Sequence, residues 1–205
     1  MQLTIFGATG GTGRQVMEQA LAAGHAVTAL VRDKSKLALQ TPNLTVMQGN
    51  ALQPADVAKV IAGAEAVIVS LGNTSNNPDL SVSTGTQQIV QAMQSQGVRR
   101  LIVISSLGVG DSKNQVPFLF KLIMWTFLRK AMRDKEAQEK IVRASGLDWT
   151  IVRPGGLSDG PRTDQYKFGT DPALRAGQVA RADVAEFVLK QLTDRTFVGK
   201  TPAIT

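Results

Sequence analysis

Short apolar runs alternate along the chain with longer stretches in which apolar residues return every three or four positions. Runs at Leu3–Phe6, Ala26–Val31, Leu44–Gln48, Ala66–Leu71, Leu101–Ser105, Trp149–Val152 and Thr201–Thr205 predict strands. Several are apolar at consecutive positions, so both faces are greasy, which suits parallel strands covered by helices on each side. Between them, Val16, Met17, Ala20 and Leu21 share one helical face that stops at Gly24. Val57, Val60 and Ile61 follow Pro54 and end at Gly63, and Ile89, Val90 and Met93 end at Gly97. A last helical window runs from about Ala182 to Leu192. Strand and helix in regular alternation predict a doubly wound α/β sheet with right-handed crossovers. No linker, repeat or low-complexity tract divides residues 1–205, so a single domain is expected.

The window Val116–Ser145 breaks this rhythm. It opens with VPFLFKLIMWTFL, apolar but for Lys121 and Thr126, and turns abruptly charged at RKAMRDKEAQEK. A long helix, buried in its first half and solvated in its second, is the plainer expectation. The alternative is that Val116–Leu128 walls a substrate site or meets a membrane surface or partner, and the sequence leaves both open.

Composition narrows the chemistry. There is no cysteine and one histidine, His25, so disulfides, thiolate metal sites and imidazole–thiolate zinc are excluded and no metal is expected. His25 precedes the second strand and is expected at the surface, at the far end of the sheet. No apolar run reaches the roughly 18 residues of a bilayer span, and the N-terminus lacks a signal peptide's basic start, which predicts a cytoplasmic protein. Twenty-three Lys and Arg against 16 acids give a net charge of +7, so anions are attracted. Seven of the bases lie between Lys121 and Arg143. Of the anions such a charge attracts (nucleic acid, an anionic membrane or a phosphorylated small molecule), the first is argued against, because zinc-finger spacing, an arginine-rich tail and aromatic–basic interleaving are all missing.

The strongest motif is Gly7-Ala8-Thr9-Gly10-Gly11-Thr12-Gly13, directly after the first strand and opening the first helix. Glycines here permit a tight turn, let backbone approach a pyrophosphate, and let helix pack close to strand. The amides at the helix start then face negative phosphates. The spacing is Gly-x-x-Gly-x-x-Gly, a departure from the common Gly-x-Gly-x-x-Gly, but the context of strand before and helix after is the required one. A protein choosing NAD usually has an acid at the end of the second strand for the ribose 2′-hydroxyl. This chain has Arg32 there, with Lys34 and Lys36 nearby and Asp33 as the counter-argument. A guanidinium suits a 2′-phosphate, so NADP is the expected cofactor.

With IFGATGGTG, LVRDKSKL, Gly49-Asn50-Ala51, VIVSLGN, VIVISSLG and SGLDWTIVRPGG, the chain resembles an atypical short-chain dehydrogenase/reductase of Rossmann type. The likeness covers nearly the whole chain and is nearest to the biliverdin reductase B (flavin reductase) family and its NmrA-like relatives. It implies a monomeric, NADPH-dependent oxidoreductase acting on flavins and some bilins, with flavin a substrate and no prosthetic group. It places Gly7, Thr9, Gly10, Gly11, Thr12 and Gly13 on the pyrophosphate, Arg32 and Lys36 by the 2′-phosphate, and Asn50 and Ala51 beside the adenine. Leu71, Gly72 and Asn73 would line the ribose and nicotinamide path. Ser105, Ser106, Pro154, Gly155, Gly156 and Leu157 would bracket the nicotinamide, with substrate-site elements after the fifth and sixth strands. Ser106 is the candidate catalytic residue, through a hydrogen bond to the nicotinamide amide or the substrate. The same resemblance admits a non-catalytic NADP(H)-sensing regulator, or a quinone reductase or isomerase.

The residues themselves restrict the reaction. Alcohol–ketone enzymes of this class protonate an alkoxide with a tyrosine four residues before a lysine. Position 170, four residues after the one tyrosine, Tyr166, is a threonine, and Ala131 lies four before Lys135. Flavin reduction needs no such acid, because charge delocalises and water supplies the proton; the protein must chiefly stack two planar rings. Gly156 stands where relatives can carry a histidine, which leaves the rim of the site open. Asp134 and Lys135 are expected as a helix-surface pair, with Lys135 alternatively on cofactor ribose. Arg153 fits a ligand phosphate or an ion pair equally well.

Overall fold

The computed structural model describes residues 1–37, 39–72, 79–117, 126 and 128–205. Five strands run β1 (Gln2–Phe6), β2 (Ala26–Val31), β3 (Leu44–Gln48), β4 (Ala66–Val69) and β5 (Arg100–Ile104). The connecting helices are α1 (Gly11–Ala22), α2 (Pro54–Ile61) and α3 (Ser81–Gln96). Helix α4 (Arg129–Arg143) leads into β6 (Asp148–Pro154), and α5 (Arg181–Lys190) precedes β10 (Ala203–Ile204). Short strands β7 (Gly156–Ser158), β8 (Phe168–Gly169) and β9 (Gln178–Ala180) lie between β6 and α5.

The sheet order is β3-β2-β1-β4-β5-β6-β10-β8, parallel except where β8 runs against β10, so the expected doubly wound sheet is observed. Its apolar runs are sorted by the two-residue side-chain period. Leu3, Ile5, Ile68, Ile102 and Val152 face α1 and α5, in a core with Val16, Met17, Val184 and Phe187. Phe6, Val67, Val69, Leu101, Val103 and Ile151 face α2, α3 and α4, in a core with Val57, Ile61, Ile89, Met93 and Val142. That is why consecutive apolar residues read correctly as covered strands.

Helix ends follow local chemistry. Pro54 occupies the first turn of α2, and Gly97 (φ +72°) closes α3 in the left-handed conformation that glycine adopts without strain. The start of α3 is held from a distance. The residue preceding it, Leu80, offers no side-chain cap, and the Asp134 carboxylate of α4 accepts hydrogen bonds from the Val82 (3.0 Å) and Ser83 (2.8 Å) amides. Asp134 is therefore buried, and the expected surface pair with Lys135 does not exist.

The Val116–Ser145 window is also revised. Val116 is buried and extended, after a 3-10 turn at Gly110–Gln115, because it packs with Leu107 and Ala203 rather than opening a helix. The described helix starts at Arg129, and residues 118–125 and 127 lie outside the described part, as does the choice between the two expectations for that stretch. The fifth strand starts one residue early with Arg100, a buried arginine bonded to the Gln191 and Asp148 carbonyls and to the Thr150 hydroxyl.

Beyond the main sheet, β7 pairs in parallel with β9 as a separate two-stranded ribbon. From Gly156 through Gln178 no residue is buried. This tract is closed on itself by the Gly156 N–H to Gly177 carbonyl bond (2.8 Å). It is held to the body by the Ala176 N–H to Gln115 carbonyl bond (2.8 Å), by the Gln115 side chain on the Asp171 and Leu174 carbonyls, and by Tyr166 against Phe187. Asp183 adds a side-chain anchor, accepting from the Thr163 and Asp164 amides.

Replacing Asp134 with alanine strands two buried amides at the start of α3. Unfolding free energy is expected to drop by about 2–3 kcal/mol, read as a lower urea midpoint at constant m-value.

Candidate functional site

The sequence order of the strands reverses between β1 and β4, and ligands of open α/β sheets bind outside the strand C-termini at such a point. The glycine turn lies there. Gly7 has φ +87°, and a Cβ on it would stand 2.3 Å from the Ser70 carbonyl oxygen on the neighbouring connection. A Cβ on Gly13 would meet the Gly7 carbonyl oxygen at 2.1 Å, so α1 can pack against β1 only without one. Gly10 is the residue before α1, and its amide donates to the Gly7 carbonyl (3.0 Å). A Cβ on Gly72 would meet nothing within 4 Å among the described residues.

A cleft of ≈740 Å³ opens beside this turn. Its walls bring together Gly7, Thr9, Gly10, Gly11, Thr12, Arg32, Asn50, Ala51, Leu71, Gly72, Ser105, Ser106, Pro154, Gly155 and Leu157. Three of the expected residues do not join them. Gly13 serves the helix–strand approach, the exposed Lys36 lends its carbonyl to Arg14, and Gly156 starts β7 on the ribbon. Asn73 lies outside the described residues.

At the end of β2 the two opposing signals separate. Arg32 is exposed and lines the cleft. Asp33 is occupied locally: one carboxylate oxygen accepts from the Ser35 amide (3.0 Å) and hydroxyl (2.7 Å), which also hold its pKa below the usual carboxylate range. After β3, Asn50 accepts from the Leu52 amide through its side chain, and its own amide donates to Asp56. That turn presents Asn50, Ala51 and Leu52 to the cleft.

The far side rests on buried charge. The Arg153 guanidinium on β6 grips Glu139 of α4 with two bonds (2.9 and 2.6 Å) and also reaches Asp111 (2.6 Å). Glu139 accepts from the Ser105 hydroxyl as well (2.7 Å). Arg153 is thus the ion pair of the two roles expected for it, and Ser105 donates to a structural carboxylate. The Ser106 hydroxyl donates to the Leu107 carbonyl (3.1 Å) at the edge of the cleft.

Lys135, one helical turn before Glu139, points its ammonium at the Ile104 carbonyl (3.1 Å) and lines the cleft. Burial pushes its pKa down to about 8, against the upward pull of Glu139 and Asp134. Tyr166 is elsewhere. Its hydroxyl donates to Glu186, it stacks near Phe168 and Phe187, and burial followed by Glu186 drives its pKa upward. Half-buried His25 sits by the Met1 ammonium at the opposite end of the strands, where it was expected.

The cleft also contains residues not expected there, among them Leu52, Ser81, Val82 and Arg181, together with strand-end residues such as Phe6, Val31, Ser70 and Ile104. Arg181 did leave a signal. It is the first residue of α5, and a cation there opposes the positive end of the helix dipole.

A strand-order reversal, a glycine turn at the first helix and a cleft along the strand ends define a Rossmann-type dinucleotide-binding protein. A family profile described as NAD(P)H-binding matches residues 7–195, and the chain belongs to that family. It is similar to an uncharacterized chloroplastic protein of Arabidopsis thaliana, 32% identical over 92% of this chain and 70% of that one. Among solved structures it is similar to ChuY, an anaerobilin reductase from Escherichia coli O157:H7 (26% identical, TM-score 0.85, covering 100% of this chain and 96% of that one). Its fold is shared with a short-chain dehydrogenase/reductase from Veillonella parvula (21% identical, TM-score 0.86, covering 99% and 93%).

Proposed function

We propose that the protein is an NADPH-dependent oxidoreductase that reduces flat conjugated acceptors, flavins foremost, in the manner of the biliverdin reductase B (flavin reductase) group. The observation that carries the cofactor choice is the division of labour at the end of β2: Arg32 borders the cleft while Asp33 is spent on Ser35. The cradle fits the dinucleotide, because Gly7 and Gly13 bring backbone close at the start of α1, where the helix amides face the cleft. When bound, NADPH supplies a hydride. The glycine turn would hold the diphosphate, Arg32 the 2′-phosphate, and Asn50 and Ala51 the adenine. Ser106, Pro154, Gly155 and Leu157 would bracket the nicotinamide, and the Lys135 ammonium would hold the adjoining ribose.

The acceptor reading rests on what borders the cleft and what does not. Tyr166 is absent from its walls, and Ala131 gives Lys135 no phenol to assist. A reaction that stacks two rings and takes its proton from water suits this set. Among the described residues a Cβ on Gly156 would touch only the Gly177 carbonyl oxygen, at 3.5 Å, so a larger side chain could be carried there, next to Gly155 and Leu157 of the cleft wall. The likeness to ChuY favours a second reading, in which the acceptor is an open-chain tetrapyrrole.

Oxidation of NADPH is to be followed with FMN, FAD, riboflavin, a quinone and biliverdin as acceptors. Turnover is expected to be best with flavins, FMN at least matching riboflavin; a bilin well ahead of FMN selects the second reading. Tight NADPH binding without turnover on any acceptor points to a non-catalytic sensor. Arg32→Ala should weaken NADPH by about 10- to 100-fold and NADH hardly at all, measured as dissociation constants. An equal loss for both removes the 2′-phosphate assignment.

Lys135 adds a pH dependence. Its pKa is lowered to about 8 in the free protein, so the ammonium is present below that pH and lost above it. Since kcat/KM reports the free enzyme's groups, kcat/KM for NADPH should fall above pH 8. Lys135→Met should be weak and flat across the same range, and a wild-type profile level through pH 9 contradicts the role.

A further inference from the structure

Arg181 borders the cleft from the junction of β9 and α5, outside the main sheet, and its backbone is held on both sides. The Gln19 amide of α1 donates to the Ala182 carbonyl (2.9 Å), pinning the start of α5 against α1. Ala180 and Ala182 are buried on either side of it. Its side chain then lies across the first residue of α1: a Cβ on Gly11 would meet the Arg181 Cδ and Nε at 2.8 Å each. The absence of a side chain at position 11 lets the arginine stem lie against the start of α1.

The partner of Arg181 among the described residues is a weak one. Its Nη1 is 2.7 Å from an oxygen of Asp159, a carboxylate 91% exposed on the loop after β7. Such an exposed pair is worth ~0.2–1 kcal/mol. A diphosphate carries more negative charge than one solvated carboxylate and, on the glycine turn, would also face the amides at the start of α1. The cation also sits at the positive end of α5, a placement that a bound anion turns from cost to benefit.

We propose that Arg181 grips the cofactor diphosphate, with Asp159 its counterion in the cofactor-free protein. This rests on the dinucleotide lying along the glycine turn. It divides the phosphate contacts by chemistry: Arg32 answers to the 2′-phosphate that only NADPH has, and Arg181 to the diphosphate that NADPH and NADH share.

Dissociation constants for NADPH and NADH are to be measured by calorimetry on wild type, Arg181→Gln, Arg181→Lys and Asp159→Asn, with melting temperatures of the cofactor-free proteins. Arg181→Gln is expected to weaken both dinucleotides by the same factor, about tenfold or more. Arg181→Lys, which keeps charge and most of the stem, should retain the larger part of the affinity. Asp159→Asn should leave both constants unchanged or tighten them by up to about fivefold. The proposal is overturned if Arg181→Gln leaves both constants unchanged, if its loss is confined to NADPH, or if Asp159→Asn weakens binding as much as Arg181→Gln does. Should Arg181→Gln fail to fold, Arg181→Met, which keeps the stem and removes the charge, decides: unchanged constants for both dinucleotides overturn the proposal, and an equal loss for both supports it. Wild type that binds neither dinucleotide refutes the glycine-turn reading instead, so the two failures are distinct.

Discussion

Three pieces of backbone meet at the C-terminal end of β1 with no side chain between them. The Gly7 Cα sits under the Ser70 carbonyl, and the Gly13 Cα sits over the Gly7 carbonyl. Methyl groups at these points would lie 2.3 and 2.1 Å from oxygen, closer than any packing tolerates, and backbone cannot yield as a flexible side chain can. This contact sets how near α1 approaches the sheet, and so where its first-turn amides point. It also fixes the offset between β1 and β4, the two strands at which the order reverses. The cleft, its phosphate-facing end and its depth follow from that one approach.

On the opposite wall, order comes from buried charge. Glu139 joins Arg153, Ser105 and α4 in one cluster, and Asp134 on the same helix holds the start of α3. Breaking such a pair leaves an uncompensated buried ion, at a cost of about 3–5 kcal/mol. Lys135 lies between these two anchors, so its depressed pKa and its place in the cleft come from a helix gripped on both sides. The glycine-turn end of the cleft is thus set by missing side chains, and the wall beside β5 and β6 by present and paired ones.

This difference governs what was legible in the sequence. Strand runs, the glycine turn and the helix stops at Gly24, Gly63 and Gly97 are local patterns, and local patterns carried the sheet and the walls contributed by strand ends. Arg32 against Asp33 was visible as a choice, but the Ser35 bonds to Asp33 were not. Asp134, Arg153 and Arg181 act across 52, 14 and 22 residues of chain. No periodicity announces such partners. The charged half of α4 looked solvated because charge was counted without knowing which charges face inward. Val116 misled in the opposite direction: its apolar neighbours suggested a helix, but it supplies an extended plug beside Leu107 and Ala203.

The tract from Gly156 through Gln178 has no buried residue, yet it supplies Leu157 to the cleft and Asp159 to Arg181. Its partly buried residues still serve the fold: Tyr166 packs against the core beneath α1 and α5, and Leu174 and Ala176 pack against Leu107 and Val116. Leu157 and Asp159 are exposed, so exchanging them would reshape the rim while the cores stay as they are. The glycine turn, where backbone meets backbone, has no such latitude.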